Sequence, residues 1–426
     1  MKFTLNLLFA LLFLNVSFGQ YVPVPAPAQS EPILITGATV HLGTGEVMEN
    51  ADVAFAEGKI TAVMPAGSRQ FPNHRVINAS GKHVYPGFIA TNTTLGLQEI
   101  GAVRATNDNR ELGEFNSNIR SLIAYNTDSE ITPTVRSMGV LMAEVVPQGG
   151  RISGSSSVVQ LDAWNWEDAA YKTDFAIHLN WPASSSYNWR QRRMVRNERY
   201  AEQLREVESF FDQAQAYSQT PNHERVNLKF EAMRGLFDGS KKLFVHANSV
   251  QAIQEAVLFA ERYNLVPTIV GGRDAWMITD FLNEHKVPVI LDSTQRTPAR
   301  EDEAIDQPFR EPALLHEAGV LFCQSHEGFW QYRNLAFQAG QAVAYGLPYE
   351  AAVKSLTLDA AKILGIDDSC GSIEVGKDAT LFISEGDALD MRTNKLTHAF
   401  IQGREINLDN KQEMLYRRFQ KKYRQR

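Results

Sequence analysis

Two cysteines, Cys323 and Cys370, are all that the 426 residues contain. So few thiols exclude a small fold held together by disulfides, and two residues alone fix no pairing. Cys323 lies in an apolar, strand-like run and reads as an inert buried thiol. Positive charge is not in excess either. Forty-two Lys and Arg face 49 Asp and Glu, a net charge of -7, which argues against nucleic acid as the partner. The cluster Arg190, Arg192, Arg193 and Arg196 reads as a solvated face, and the basic stretch from Arg417 to Arg426 as a frayed end. Long apolar runs are missing. Leu5 to Leu14, broken by Asn6, falls short of the roughly 20 residues that span a bilayer. No Ser-His-Asp order, phosphate-cradling loop or dinucleotide fingerprint occurs.

What is present indicates a globular protein. Apolar residues make up 44% and charged residues 21%, and the length suits a large domain with a small accessory one. Residues 1–20 read as a cleavable signal peptide, with Lys2, the apolar core from Leu5 to Leu14, then Ser17, Gly19 and Gln20. The expected location is periplasmic or secreted, with the mature chain starting near Gln20 or Tyr21. No cysteine lies near the cleavage region to carry a lipid anchor. Tyr21 to Ser30, with three prolines, reads as a flexible lead-in.

Residues 33 to 64 read as short strands with turns at Gly-containing stretches. Further on, strand and helix alternate. Lys242–Val245, Val266–Val270, Val287–Leu291 and Val320–Cys323 read as strands. Val250–Tyr263, Asp274–His285 and Glu311–Ala318 read as helices. Such alternation builds a parallel sheet. Two insertions break the rhythm: a polar loop from Leu97 to Asn126, and a charged helical stretch from Tyr187 to Tyr217. The latter has an apolar stripe at Tyr200, Leu204, Val207, Phe210 and Phe211 and reads as a helix packed on the outside.

Val84-Tyr85-Pro86-Gly87-Phe88-Ile89-Ala90-Thr91-Asn92-Thr93-Thr94 resembles the opening of the catalytic barrel in the amidohydrolase superfamily, in particular its imidazolonepropionase-like branch. Gly371-Ser372-Ile373-Glu374-Val375-Gly376-Lys377-Asp378-Ala379-Thr380-Leu381 resembles the branch's C-terminal signature. The resemblance implies an α/β fold: a (β/α)8 TIM-type barrel over residues 86–368, plus a small β-sandwich domain formed from both chain ends, residues 31–85 and 369–410. It also implies metal-dependent hydrolysis of carbon-nitrogen bonds other than peptide bonds. There the barrel opens on Asp-x-His-x-His, whose two histidines alternate along a strand, face the same way and hold a divalent metal at the C-terminal mouth. Here those histidine positions carry Asn92 and Thr94, and the Asp position carries Ala90. His246 occupies the fifth-strand ligand position and Gly271 the sixth-strand one. The eighth-strand aspartate, which ligates and takes a proton from the attacking water, falls at His326 or Glu327.

Other residues bear on the site. Glu144 is a charge within an apolar strand and must be paired or face the mouth. Asp292 follows an apolar strand, where barrel sites form. The stretch Gly149 to Ser157, including Arg151 and Ser153, reads as a mobile Gly/Ser-rich loop that could hold an anion. Trp164 and Trp166 either wall a pocket or cap the core. These residues are expected to converge on one cavity, with histidines raised in pKa by neighbouring carboxylates. The expected function is binding of a small polar molecule or a partner, a homo-oligomer or an active paralogue among them, by a catalytically impaired amidohydrolase-type protein without tightly bound metal. The alternative is an active C–N hydrolase with Zn2+ or another divalent metal in a reduced site, or with none. His246, His326, Glu327 and Asp292 are the candidate catalytic and metal residues, and Glu144, Arg151 and Ser153 the candidate ligand-binding ones.

Overall fold

A computed structural model describes residues 24–423 other than 189, 191, 221, 301 and 327. The expected signal peptide and Glu327 lie outside the described residues. Two eight-stranded sheets carry the fold. The first draws on both chain ends. It joins β1 (Ile33–His41), β2 (Val47–Ala56), β3 (Lys59–Pro65), β4 (Arg75–Asn78) and β5 (His83–Pro86) to strands near the C-terminus, Leu381–Ser384, Leu396–Ile401 and Arg404–Glu405. The seam is antiparallel pairing of Tyr85 with Phe382 and of Val84 with Ile383. Ile35, Val53, Phe55, Val84, Leu381 and Phe400 pack into one apolar core on this sheet.

The second sheet is the barrel wall. Its strands run in order β6 (Phe88–Thr93), β7 (Val140–Val145), β8 (Ile152–Gln160), β9 (Ala170–Asn180), then Lys242–Ala247, Thr268–Gly271, Val289–Leu291 and Phe322–Gln324. The wall is not all parallel. β8 runs antiparallel to both β7 and β9. The stretch read as a mobile loop therefore supplies a buried strand from Ile152 onward, and only Gly149 and Gly150, both at positive φ, make the turn. Serine's small hydroxyl suits it, because Ser156 finds partners inside the barrel. The stretch from Tyr187 to Tyr217 is also only partly helical. Ser185–Asn188 and Arg193–Arg196 form a hairpin, and the helix is Tyr200–Ser218, burying Val207, Phe211 and Ala214.

Alternation fixes which side chains enter the barrel. One residue from each strand joins a single apolar layer: Ile89, Met142, Val158, Ala176, Phe244, Val270, Ile290 and Cys323. Helix Leu358–Leu364 packs into the same cluster. Its last carbonyls are capped by lysines from the starts of two strands: Lys172 Nζ donates to Gly365 O at 2.7 Å and Lys242 Nζ to Ile363 O at 2.6 Å. Cations on C-terminal carbonyls match the helix dipole. This helix thus stands at the N-terminal end of the barrel, and the open chemistry is left to the other end.

Candidate functional site at the barrel mouth

Two residues beyond the apolar layer, toward the C-terminal strand ends, the same inward register carries Glu144, Ser156, His178, His246 and Asp292. On β8, which runs the other way, the step is from Val158 back to Ser156. A polar layer therefore rests directly on an apolar one.

Hydrogen bonds join four of these residues in a line. Ser156 Oγ donates to Glu144 Oε1 at 2.8 Å. His178 Nε2 lies 2.9 Å from Ser156 Oγ and 3.3 Å from Glu144 Oε1. His178 Nδ1 lies 3.0 Å from His246 Nε2. The serine proton is committed to the carboxylate, so with both imidazoles neutral His178 donates from Nε2, and His246 donates from Nε2 to His178 Nδ1. His246 Nδ1 is then a lone pair, and it has no hydrogen-bond partner among the described residues. Burial and the adjacent His178 lower the His246 pKa to about 3. The expectation of a raised histidine pKa is thus reversed for His246. The carboxylate meets His178 and Ser156, while His246 meets only a second imidazole.

Glu144 also shapes the backbone opposite it. Ala90 pairs with Ala143 and Thr93 with Val145, so Thr91 and Asn92 together stand against Glu144 alone. This is a β-bulge, with Asn92 in the left-handed region at φ 54°. The N–H that the bulge frees is taken by Glu144 Oε2 at 2.9 Å. The expected simple alternation of Asn92 and Thr94 along a strand is broken here. The Thr94 hydroxyl lies 3.5 Å from Gln98 Oε1.

The other side of the mouth uses guanidinium groups. Arg273 Nη2 donates to Asp292 Oδ2 at 2.7 Å and Ser293 N–H to Asp292 Oδ1 at 2.8 Å. His326 is buried, its ring 6.2 Å from that of Tyr332. Tyr332, fully buried, donates its hydroxyl to Thr91 O, and burial holds its phenol well above the ordinary range. Arg151 donates from Nη1 to Asn180 O at 2.9 Å, and Asn180 Nδ2 donates to Ser153 Oγ at 2.9 Å. Asn180 is the register partner of His246 on the adjacent strand. Arg151 and Ser153 therefore sit beside the histidine end of the line. Burial lowers the pKa of Arg151. Trp164 lies on the surface, 64% exposed, and walls no buried pocket. Both cysteines are free and buried, and burial raises both thiols, Cys370 to about 12.

Sequence reasoning missed His178 and treated Ser156 only as part of a loop. The signal was present: Phe175-Ala176-Ile177-His178-Leu179 is an apolar strand with one titratable residue, the pattern that singled out Glu144.

The residues present do not fit a catalytic dication. Gly271 offers no side-chain donor. It sits at φ 103°, and a Cβ there would come within 2.5 Å of Asn248 Oδ1. Asn92 and Thr94 carry only neutral oxygens, and Glu144, Ser156 and His178 are bonded to one another. Among the described residues, no group of three or more His, Cys, Asp or Glu could hold a metal ion.

Fold and site together define an α/β-barrel protein with an imidazole–carboxylate layer at its strand ends. The sequence profile of the Amidohydrolase family matches residues 328–407. No curated protein matches the chain. An amidohydrolase from Thermotoga maritima is similar in structure, with TM-score 0.74 and 23% identity, covering 88% of this chain and 99% of that one. Molinate hydrolase gives TM-score 0.55 at 17% identity over 89% of this chain and 95% of its own. A putative prolidase from Bifidobacterium longum gives 0.51 at 17% over 92% and 100%. At these identities the likeness is one of fold. The profile match at the C-terminal end and the barrel fold point the same way, to a likeness with amidohydrolases.

Proposed function

We propose that this amidohydrolase-superfamily chain binds a small, anionic polar molecule at the barrel mouth and does not hydrolyse it by the family's metal-dependent route. The observation that carries the reading is the line from Glu144 through Ser156 and His178 to His246, which commits the buried donors and acceptors to each other. Hydrolysis of this class needs a water lowered in pKa to about 7 by a metal, and a carboxylate to take its proton. Glu144 instead accepts from Ser156 and the Asn92 N–H. Anionic ligands are favoured by Arg151, partly desolvated and bonded to a neutral carbonyl rather than to an acid.

Prolidases and an Xaa-Pro dipeptidase are among the structurally similar proteins, so proline dipeptides are the first ligands to try. Calorimetry with glycyl-L-proline and its C-terminal amide tests the reading. The free carboxylate should bind, the amide should bind more weakly, and Arg151→Ala should abolish the difference, with no glycine or proline released. Zinc-dependent release of proline, or no difference between acid and amide, overturns the proposal. Export is proposed on the apolar core from Leu5 to Leu14. Mass spectrometry of the protein from its native host should find an N-terminus near Gln20, and an intact Met1 would refute export.

A further inference from the structure

The last described helix, Lys411–Tyr423, buries no residue. Its first turn is tied to the body. Asn410 Oδ1 caps it by accepting from Glu413 N–H at 3.0 Å, Thr134 Oγ1 donates to Gln412 Oε1 at 2.7 Å, and Lys411 pairs with Glu130. Beyond that turn the helix divides by face. Gln412, Tyr416, Phe419 and Tyr423 recur at helical spacing on one side. Their rings are open to solvent: Tyr416 is 59% exposed, Phe419 49% and Tyr423 60%. Arg417, Arg418, Lys421 and Lys422 fall on the remainder, and Glu413 is the only acid in the helix. Arg417 pairs with Asp409, which leaves Arg418, Lys421 and Lys422 to carry the positive face.

Three uncovered rings beside a row of cations are unusual on a chain whose net charge is -7. A helix with aromatic residues on one face and Lys and Arg on the other matches the requirements of an anionic bilayer surface. Rings settle at headgroup depth, and cations meet lipid phosphates along the whole helix. We infer that helix Lys411–Tyr423 docks the protein peripherally on a membrane surface rich in anionic phospholipid, lying in the plane of the interface. This is attachment without crossing: among the described residues, no helix is long and apolar enough to span a bilayer.

Flotation of the full chain with phosphatidylcholine vesicles, with and without about one-third phosphatidylglycerol, tests the inference. The protein should float with the anionic vesicles only. The pair Phe419→Ser and Tyr423→Ser, and separately the pair Arg418→Glu and Lys421→Glu, should each weaken flotation about tenfold or more at low salt. The melting temperature should not move, since neither pair touches the packed core. Failure of the wild-type chain to float overturns the inference, as does flotation that survives loss of the rings. Concentration-dependent self-association abolished by the ring variant would also overturn it, by assigning the face to a second copy.

Discussion

The two sides of the barrel mouth hold buried or half-buried carboxylates by different means. On the side of β6 to β9, Glu144 is wholly enclosed and is satisfied by a serine, a histidine and a backbone N–H, with no arginine or lysine paired to it among the described residues. On the side of the last strands, Asp292 is partly exposed and held by the Arg273 guanidinium and the Ser293 N–H. An enclosed charge must be met by several fixed dipoles, whereas a solvated one needs little beyond a counter-ion. In both places the carboxylate at the barrel mouth is met by protein groups.

This contrast orders the expected effects of mutation. Glu144→Ala should cost the most, about 3–5 kcal/mol in denaturant unfolding, because it strands Ser156, His178 and the Asn92 N–H in the interior. Gly271→Ala should cost about 1–2 kcal/mol for the left-handed backbone, plus whatever Asn248 loses in moving aside. Asp292→Asn should cost under about 1 kcal/mol, since Arg273 is one-third exposed and water can replace its partner. A Glu144 variant no less stable than the Asp292 variant would erase the distinction between the two sides.

The effect of pH sharpens it further. The His246 pKa is depressed in the fold to about 3 from the ordinary histidine value of 6.5. Between those values the unfolded chain binds the extra proton, so this residue's contribution to stability is full above about pH 6.5 and falls as pH drops toward 3. His246→Gln should therefore flatten the stability–pH curve between about pH 6 and pH 4, measured by urea unfolding against the wild-type chain. An unchanged slope would mean that His246 is not shielded as described.

Much of the scaffold was legible from the chain itself. The apolar run after Pro86-Gly87 is the first barrel strand, and the alternation from Lys242 to Cys323 is the second half of the barrel. The antiparallel β8 was not legible. A serine-rich strand buried inside a barrel has the composition of a loop, and only its partners Glu144 and His178 explain its burial. The bulge at Asn92 was likewise hidden, because it depends on a carboxylate 52 residues away. Glu144 and Asp292 were found because each breaks an apolar strand or ends one, and His246 because its segment resembles the fifth-strand ligand position of the family. His178 breaks a strand in the same way, and the rule was not applied to it.

The central claim is that the groups at the mouth are satisfied by one another and not by a metal. Elemental analysis of the gently purified protein, followed by zinc titration in a calorimeter, tests it most directly. The account predicts well under one zinc per chain as isolated and no tight zinc site on titration. One zinc per chain as isolated, lost on His246→Ala, would contradict it.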